Sequence, residues 1–283
     1  MNFTIAHSDF DGLLSTAIIL KYYPNTLNFF SSTYSLKKVL CKIISLNENL
    51  EKLFIADISP NEINLKLASV FKEVFWFDHH ISSINSAFEN VKLIIDSNFK
   101  SAASLVANYF NFESEWLEIA DKIDTNNCND ETSKILRSYV NYLRKEKLIS
   151  VFRVLARKIL SYKPEEFASL DFVRNNAIKF EEEMRIKKEQ TEKSFFIVNG
   201  INIAILRPKE SIPPYILTED LKNTDLIVIV YDKKLEFRSN KVDVHKIAKY
   251  FNGGGHKYAS GAKLEKNISN EELLQIIEKL TKE

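Results

Sequence analysis

With 283 residues, the chain is long enough for one large or two ordinary domains, each with its own core. Hydrophobic residues make up 45% and charged residues 27%, which excludes a disordered chain, and six Gly and six Pro leave no low-complexity linker. A net charge of +1 excludes a strongly basic nucleic-acid binder.

Taken in chain order, residues 3–6 predict a short buried strand. It ends in His7-Ser8-Asp9-Phe10-Asp11-Gly12, and residues 13–22 predict an apolar helix. Alternate spacing can aim several of His7, Asp9 and Asp11 into one cavity. A helix N-cap accounts for one Asp, but not for the His and the second Asp. Gly12 lets the backbone pass close to a bound group. Residues 29–33 predict an edge strand, and 53–56 a buried strand that ends at Asp57. A helix follows over 61–71. The apolar run Val74-Phe75-Trp76-Phe77 predicts another buried strand, with Asp78-His79-His80 at its carboxyl end. Ligands of open α/β sheets bind at the carboxyl ends of strands.

Residues 91–95 predict a further strand, 101–110 a helix whose serines read as packing groups, and 116–123 another helix. Asp121 and Asp124 lie three apart and can share a helix face, so either can reach a site. Residues 131–193 read as helical, ending in an exposed connecting segment. Residues 1–125 carry 10 Lys and 15 Asp+Glu, a balance of −5, whereas 134–193 carry 15 Lys+Arg and 9 Asp+Glu, a balance of +6. The basic excess reads as a solvated helical surface, with a face for an anionic substrate as the alternative. Short strands follow at 195–198, 201–206, 226–231 and 235–239, then a helix at 244–251. In Asn252-Gly253-Gly254-Gly255-His256-Lys257, three glycines in a row predict a loop of exposed amides able to hold a phosphate. The fold class is α/β: a parallel-sheet domain over 1–180, a helical linker over 181–193 and a smaller α/β domain over 194–283.

Cys41 and Cys128 have neither metal-type nor disulfide-framework spacing, which fits a reducing cytoplasm. The longest apolar runs are of strand length, and no basic-then-apolar leader pattern opens the sequence, so no membrane association is expected.

His7, Asp9, Asp11, Asp57, His79 and Asp124 are the candidate ligands. Four carboxylates in one cleft repel one another and need cations to stay ionised. A mixed Asp/His set suits two divalent metals, with manganese favoured over zinc, cobalt or magnesium. Such a pair, about 3.5–4 Å apart, lowers the pKa of a water and clamps a phosphoryl oxygen. Asp57 is the natural bridge between them. Metals together with a phosphate-binding loop point to hydrolysis of a phosphate ester or anhydride.

This set of motifs, in this order, resembles the DHH phosphoesterase superfamily in its DHHA1 branch. His7-Ser8-Asp9-Phe10-Asp11-Gly12 resembles its first motif, Asp57 its second, Asp78-His79-His80 its third and Asp124 its fourth. Gly253-Gly254-Gly255-His256 with residues 259–262 resembles the DHHA1 signature. The resemblance implies one manganese on His7, Asp9 and Asp57 and another on Asp11, Asp57, His79 and Asp124. It implies that His80 contacts the scissile phosphate and that Asp78 orients its neighbours. Gly254, Gly255 and His256 would bind the substrate's terminal phosphate or nucleotide, and Arg238 would contact substrate. Ile119-Ala120-Asp121 also resembles one version of the fourth motif, which makes Asp121 a rival ligand. The implied activity is manganese-dependent hydrolysis of short oligonucleotides (nanoRNA, linear dinucleotides, pAp) to 5′ mononucleotides. Short single-stranded RNA or DNA is then the partner, and a homodimer is a candidate assembly. A RecJ-like single-strand exonuclease is the alternative, ahead of an inorganic pyrophosphatase or an inactive nucleic-acid-binding scaffold.

Overall fold

Strands that are apolar along their length need cover on both faces, and intervening helices supply it. The computed structural model describes residues 1–80 and 84–282. The chain divides into two units, Met1–Phe180 and Glu181–Glu283. The first contains β1 (Asn2–His7), α1 (Phe10–Tyr22), β2 (Thr26–Ser31), α2 (Leu36–Leu46), β3 (Lys52–Ala56), α3 (Glu62–Ala68), β4 (Glu73–Asp78) and β5 (Val91–Ile95). Helices α4 (Ala102–Phe110), α5 (Trp116–Asp124), α6 (Glu131–Lys145), α7 (Ile149–Lys158) and α8 (Pro164–Ser169) follow, and α9 (Asp171–Glu189) leads into the second unit.

The five strands form one parallel sheet in the order β2-β1-β3-β4-β5. From β1 the chain first moves out to β2 and then returns past it to β3, so the order reverses between β1 and β3. That crevice is where open α/β sheets bind ligands. Side chains alternate across the sheet. Ala6, Phe54, Ala56, Phe75 and Phe77 pack with α1, α4 and the later helices. Phe3, Ile5, Leu53, Ile55, Val74 and Trp76 pack with α2 and α3. The result is a helix–sheet–helix sandwich, as the apolar runs require. α1 is buried from Phe10 to Leu20, so it lies inside the unit with little solvent-facing surface.

The second unit carries β6 (Glu192–Val198), β7 (Ile201–Arg207), α10 (Pro214–Thr218), β8 (Leu226–Tyr231), β9 (Lys234–Ser239), α11 (Val244–Tyr250), β10 (Gly254–His256), β11 (Ala259–Lys263) and α12 (Asn270–Leu280). Its mixed sheet runs β10-β11-β9-β8-β7-β6. Asn199 and Gly200, both at positive φ (51° and 73°), make the tight turn between β6 and β7. One sheet face, with Ile203, Val228, Leu235 and Phe237, packs on Ile247 of α11 and Leu273 and Ile277 of α12.

The chain is therefore α/β, with a parallel N-terminal sheet and a second sheet in the C-terminal part. Three local expectations change. α1 starts at Phe10, so Asp11 and Gly12 lie in its first turn and not in a preceding loop. The helical reading of 131–193 breaks into four α-helices and ends at β6, which begins at Glu192. The glycine loop is a short edge strand, β10, paired antiparallel with β11. Among the described residues, no helix is long and apolar enough to cross a membrane.

Phe54 is fully buried, stacked on Phe75 at 5.2 Å and packed on Tyr23 at 4.7 Å. Phe54→Ala is expected to cost about 3–5 kcal/mol. Both tryptophans, Trp76 and Trp116, belong to the first unit, so their fluorescence during denaturant unfolding reads that loss directly. A loss under about 1 kcal/mol would contradict this packing.

Candidate metal centre

Register builds the site. Ala6 pairs with Ala56, and Ala56 with Phe77, so the next residues along the three neighbouring strands, His7, Asp57 and Asp78, reach the carboxyl edge at one level. Asp57 leaves β3 with φ at 58°, in the left-handed region that Asp tolerates better than bulkier residues. Its backbone N–H still donates to Phe77 O at 3.0 Å. A strained residue of this kind at a sheet edge marks a place where side-chain aim outweighs backbone comfort.

The first motif is held by α1. Asp9 is the N-cap: its Oδ1 accepts from Gly12 N at 3.0 Å, while Oδ2 engages His7 Nδ1. The capping role thus accounts for one oxygen of Asp9 and leaves the other for the site. Gly12 serves the chain itself and not a bound group, because a Cβ there would lie 2.0 Å from the carbonyl oxygen of His7. Asp11 is buried at the N-terminus of α4, where its two oxygens accept from Ala102 N and Ala103 N, each at 2.7 Å.

These elements bring all six expected metal residues into one cluster. His7 Nδ1 lies 3.5 Å from Asp57 Oδ2. His79 Nε2 lies 3.8 Å from Asp11 Oδ2, 3.8 Å from Asp57 Oδ1 and 3.4 Å from Asp124 Oδ2. Three ligand groups result, His7–Asp9–Asp57, Asp57–His79–His80 and Asp11–His79–Asp124, each with ligand atoms within 4.8 Å of one another. Asp57 and His79 each belong to two groups. Asp78 is fully buried and its Oδ1 holds His80 Nδ1 at 2.7 Å, which fixes the His80 ring beside His79.

Side-chain exposure rises from 2% at Asp11 and 4% at Asp57 to 25% at Asp9 and 29% at Asp124, so the cluster opens to solvent along the Asp9–Asp124 side. Burial, then the charge of Asp124, pushes the Asp11 carboxyl well above the usual range. Burial, then Asp9, does the same to Asp57. Asp124 is raised to about 7 by burial and then by Asp9. Burial also disfavours ionised Asp9, but His7 outweighs it and holds the group below its ordinary value. His7 is raised by Asp9, and His80 by its hydrogen bond to Asp78. The donor set fits divalent cations. It is rich in hard oxygens and imidazoles, and its buried acids resist ionising beside one another. Among the described residues, Asp57 Oδ2 is buried with no hydrogen-bond partner.

The rival fourth-motif residue is placed elsewhere. Asp121 Oδ1 accepts from Ser101 Oγ at 2.6 Å and from Ser104 Oγ at 2.7 Å, so these serines bond and do not merely pack. Spacing on one helix face could not separate Asp121 from Asp124. Sequence reasoning also passed over Arg144 of α6, an exposed cation whose charge is felt at both His7 and Asp9. Its signal was the basic excess of 134–193.

In the second unit, β10 pairs His256 with Ala259, and β11 pairs Ala259 with Arg238. Cross-strand partners share a face, so His256 and Arg238 flank a small residue in one row. Arg238 is held by Phe237 O at 2.9 Å and by the buried Glu236 carboxylate at 3.3 Å. Gly255 sits at φ 134°, and a Cβ on it would meet Ser260 Cα at 2.6 Å, so close strand approach requires that glycine. Gly254 faces open space and leaves room on the His256–Arg238 side. A separate groove of about 1180 Å³ in this unit, between Phe195 and Ile197 of β6 and the segment 219–224, contains none of these groups.

The DHHA1 domain profile matches residues 206–283. A pGpG-specific phosphodiesterase, PggH, from Vibrio cholerae shares the fold with TM-score 0.60 and 16% identity, over 99% of this chain and 97% of that one. An exopolyphosphatase-related protein from Bacteroides fragilis does so with TM-score 0.58 and 14% identity, over 98% and 90%. No curated protein matches the sequence.

Linkage gives a test free of substrate. Asp11, Asp57 and Asp124 have raised folded-state values, so the stability they allow is full below their unfolded value near about 4 and is lost as pH rises through the folded one. His7 and His80, also raised, act in the same direction. In chelator, the thermal midpoint should therefore fall between about pH 5 and pH 8, and Mn²⁺ should raise it most at pH 8. A chelated protein that gains stability over that range would contradict this electrostatic picture.

Proposed function

We propose that this chain belongs to the DHH/DHHA1 phosphoesterase family and is a phosphoric ester hydrolase, a manganese-dependent phosphodiesterase that cleaves short oligonucleotides and linear dinucleotides to 5′ mononucleotides. One observation carries the reading: ligand groups that share Asp57 and His79 at the carboxyl edge of a parallel sheet, in a chain that also has a DHHA1 domain. His7, Asp9 and Asp57 would hold one cation, and Asp11, Asp57, His79 and Asp124 the other. When bound, two such cations lower the pKa of an attacking water and stabilise charge on the phosphoryl oxygens.

The chain's own groups do the rest. Asp57, aimed by its left-handed backbone, presents both oxygens inward and fixes the spacing of the two positions. Asp78 fixes the ring of His80, which is raised and so cationic over more of the neutral range, suited to contact the scissile phosphate. Arg238 and His256, with the open side of Gly254, would take the substrate's terminal phosphate or nucleotide, and Gly255 lets the strand that carries Gly254 and His256 close up on β11. Short substrates are favoured because the net charge is only +1, which supplies no long anion track. The PggH likeness in fold supports a linear dinucleotide among them. Two cysteines without framework spacing support a cytoplasmic setting.

The test is the protein with Mn²⁺ and labelled RNA and DNA of two to about twenty-four nucleotides, with pyrophosphate and polyphosphate in parallel. Preference for the shortest oligonucleotides is the expected result. Stepwise digestion favouring the longest strands would replace it with a RecJ-like exonuclease, and turnover confined to pyrophosphate or polyphosphate would replace it with a phosphoanhydride hydrolase. Asp57→Ala should lower turnover by more than about 100-fold, since it removes a shared ligand where loss of a mere outer partner costs about 10–100-fold. His256→Ala should raise KM about tenfold through a lost charge-assisted contact, with kcat little changed. Collapse of kcat at constant KM would remove His256 from the binding role.

A further inference from the structure

The Asp11–His79–Asp124 group draws its ligands from α1, from the end of β4 and from α5. Nothing in the sheet register fixes the distance between Asp11 and Asp124, because neither is on a strand. A hydrogen-bonded path does. Asp11 clamps the first two amides of α4, Ala102 N and Ala103 N. The cap of that helix, Ser101, is fully buried, and its Oγ accepts from Ser104 N at 3.1 Å. Ser101 Oγ and Ser104 Oγ both donate to one oxygen of Asp121, at 2.6 and 2.7 Å. Asp121 stands one helical turn before Asp124 on α5, and its carbonyl accepts from Thr125 N and Thr125 Oγ1, which closes that helix just past Asp124.

We propose that Asp121 is a positioning residue that ties the N-terminus of α4 to the end of α5 and so holds Asp11 and Asp124 at the separation one metal position requires. This rests on the metal-centre reading above. The position made by His7, Asp9 and Asp57 is set by strand register and by the Asp9 cap, so it is independent of Asp121. The charge of Asp121 is not what matters, because both serine hydroxyls meet it by hydrogen bonds to a single oxygen. The acceptor oxygen is what matters. Asp121→Asn keeps that oxygen and removes the charge, whereas Asp121→Ala removes both.

Mn²⁺ stoichiometry, measured by calorimetry and by electron paramagnetic resonance, separates the alternatives. Wild type and Asp121→Asn should bind two ions. Asp121→Ala and the double variant Ser101→Ala/Ser104→Ala should bind one tightly and the other at least tenfold more weakly. Loss of an ion in Asp121→Asn with two retained in the serine variant would make Asp121 a direct ligand and overturn the proposal. Two ions of unchanged affinity in every variant, with only a lower thermal midpoint, would reduce Asp121 to a structural role and overturn it too. Hydrogen exchange of the Ala102 and Ala103 amides in chelator reads the clamp without any metal. Exchange at least tenfold faster in Asp121→Ala than in wild type or Asp121→Asn supports the proposal even if wild type binds fewer than two ions, an outcome that would count against the metal reading alone. Equal exchange in all three would overturn it.

Discussion

Like charge in a small, half-buried space is the constraint on which the first unit depends. Asp9, Asp11, Asp57 and Asp124 lie around His7 and His79 in one part-buried cluster. Burial and mutual repulsion push three of the four acids toward the neutral form, and only Asp9, against His7, resists. A fold that served stability alone would place an apolar residue at these positions. Retaining acids here costs stability in the metal-free chain, and bound cations would remove that cost by giving the carboxylates a partner.

The scaffold holds this arrangement because its parts are rigid for ordinary reasons. Parallel register brings three strand ends to one level. The apolar α1 is buried on nearly all sides and cannot shift without opening the core. Its first turn is pressed so close to β1 that position 12 admits only glycine. Asp57 pays for its orientation with an unfavourable backbone angle. In the second unit the same logic recurs on a smaller scale: Gly253 and Gly255 allow β10 to approach β11, and the buried Glu236 fixes Arg238 in line with His256.

Much of this was legible in the residues. Unbroken apolar runs such as Val74-Phe75-Trp76-Phe77 could be read as strands buried on both faces, and the polar groups directly after them as a strand-end site. Other features depend on distance in space. Spacing put Asp121 and Asp124 on one helix face and could not tell which met Ser101 and which met His79. The glycine run looked like a loop because glycine disfavours strands by itself; cross-strand contact with Ser260 and Gly261 overrides that preference. The helix at α2 is amphipathic, with Leu36, Leu40 and Ile43 buried, a pattern that marks a helix but carries no site chemistry. Asn199-Gly200 is a readable hairpin signal, and its two positive φ angles bear out the tight turn.

On the proposed reading, Asp57 and the strand ends would hold a pair of cations. Crystals grown with Mn²⁺ and measured at the manganese edge test it most directly. The account predicts two anomalous peaks about 3.5–4 Å apart, one against His7 and Asp9, the other against Asp11, His79 and Asp124, with Asp57 touching both. A single peak, or peaks that leave Asp57 uncoordinated, would contradict it.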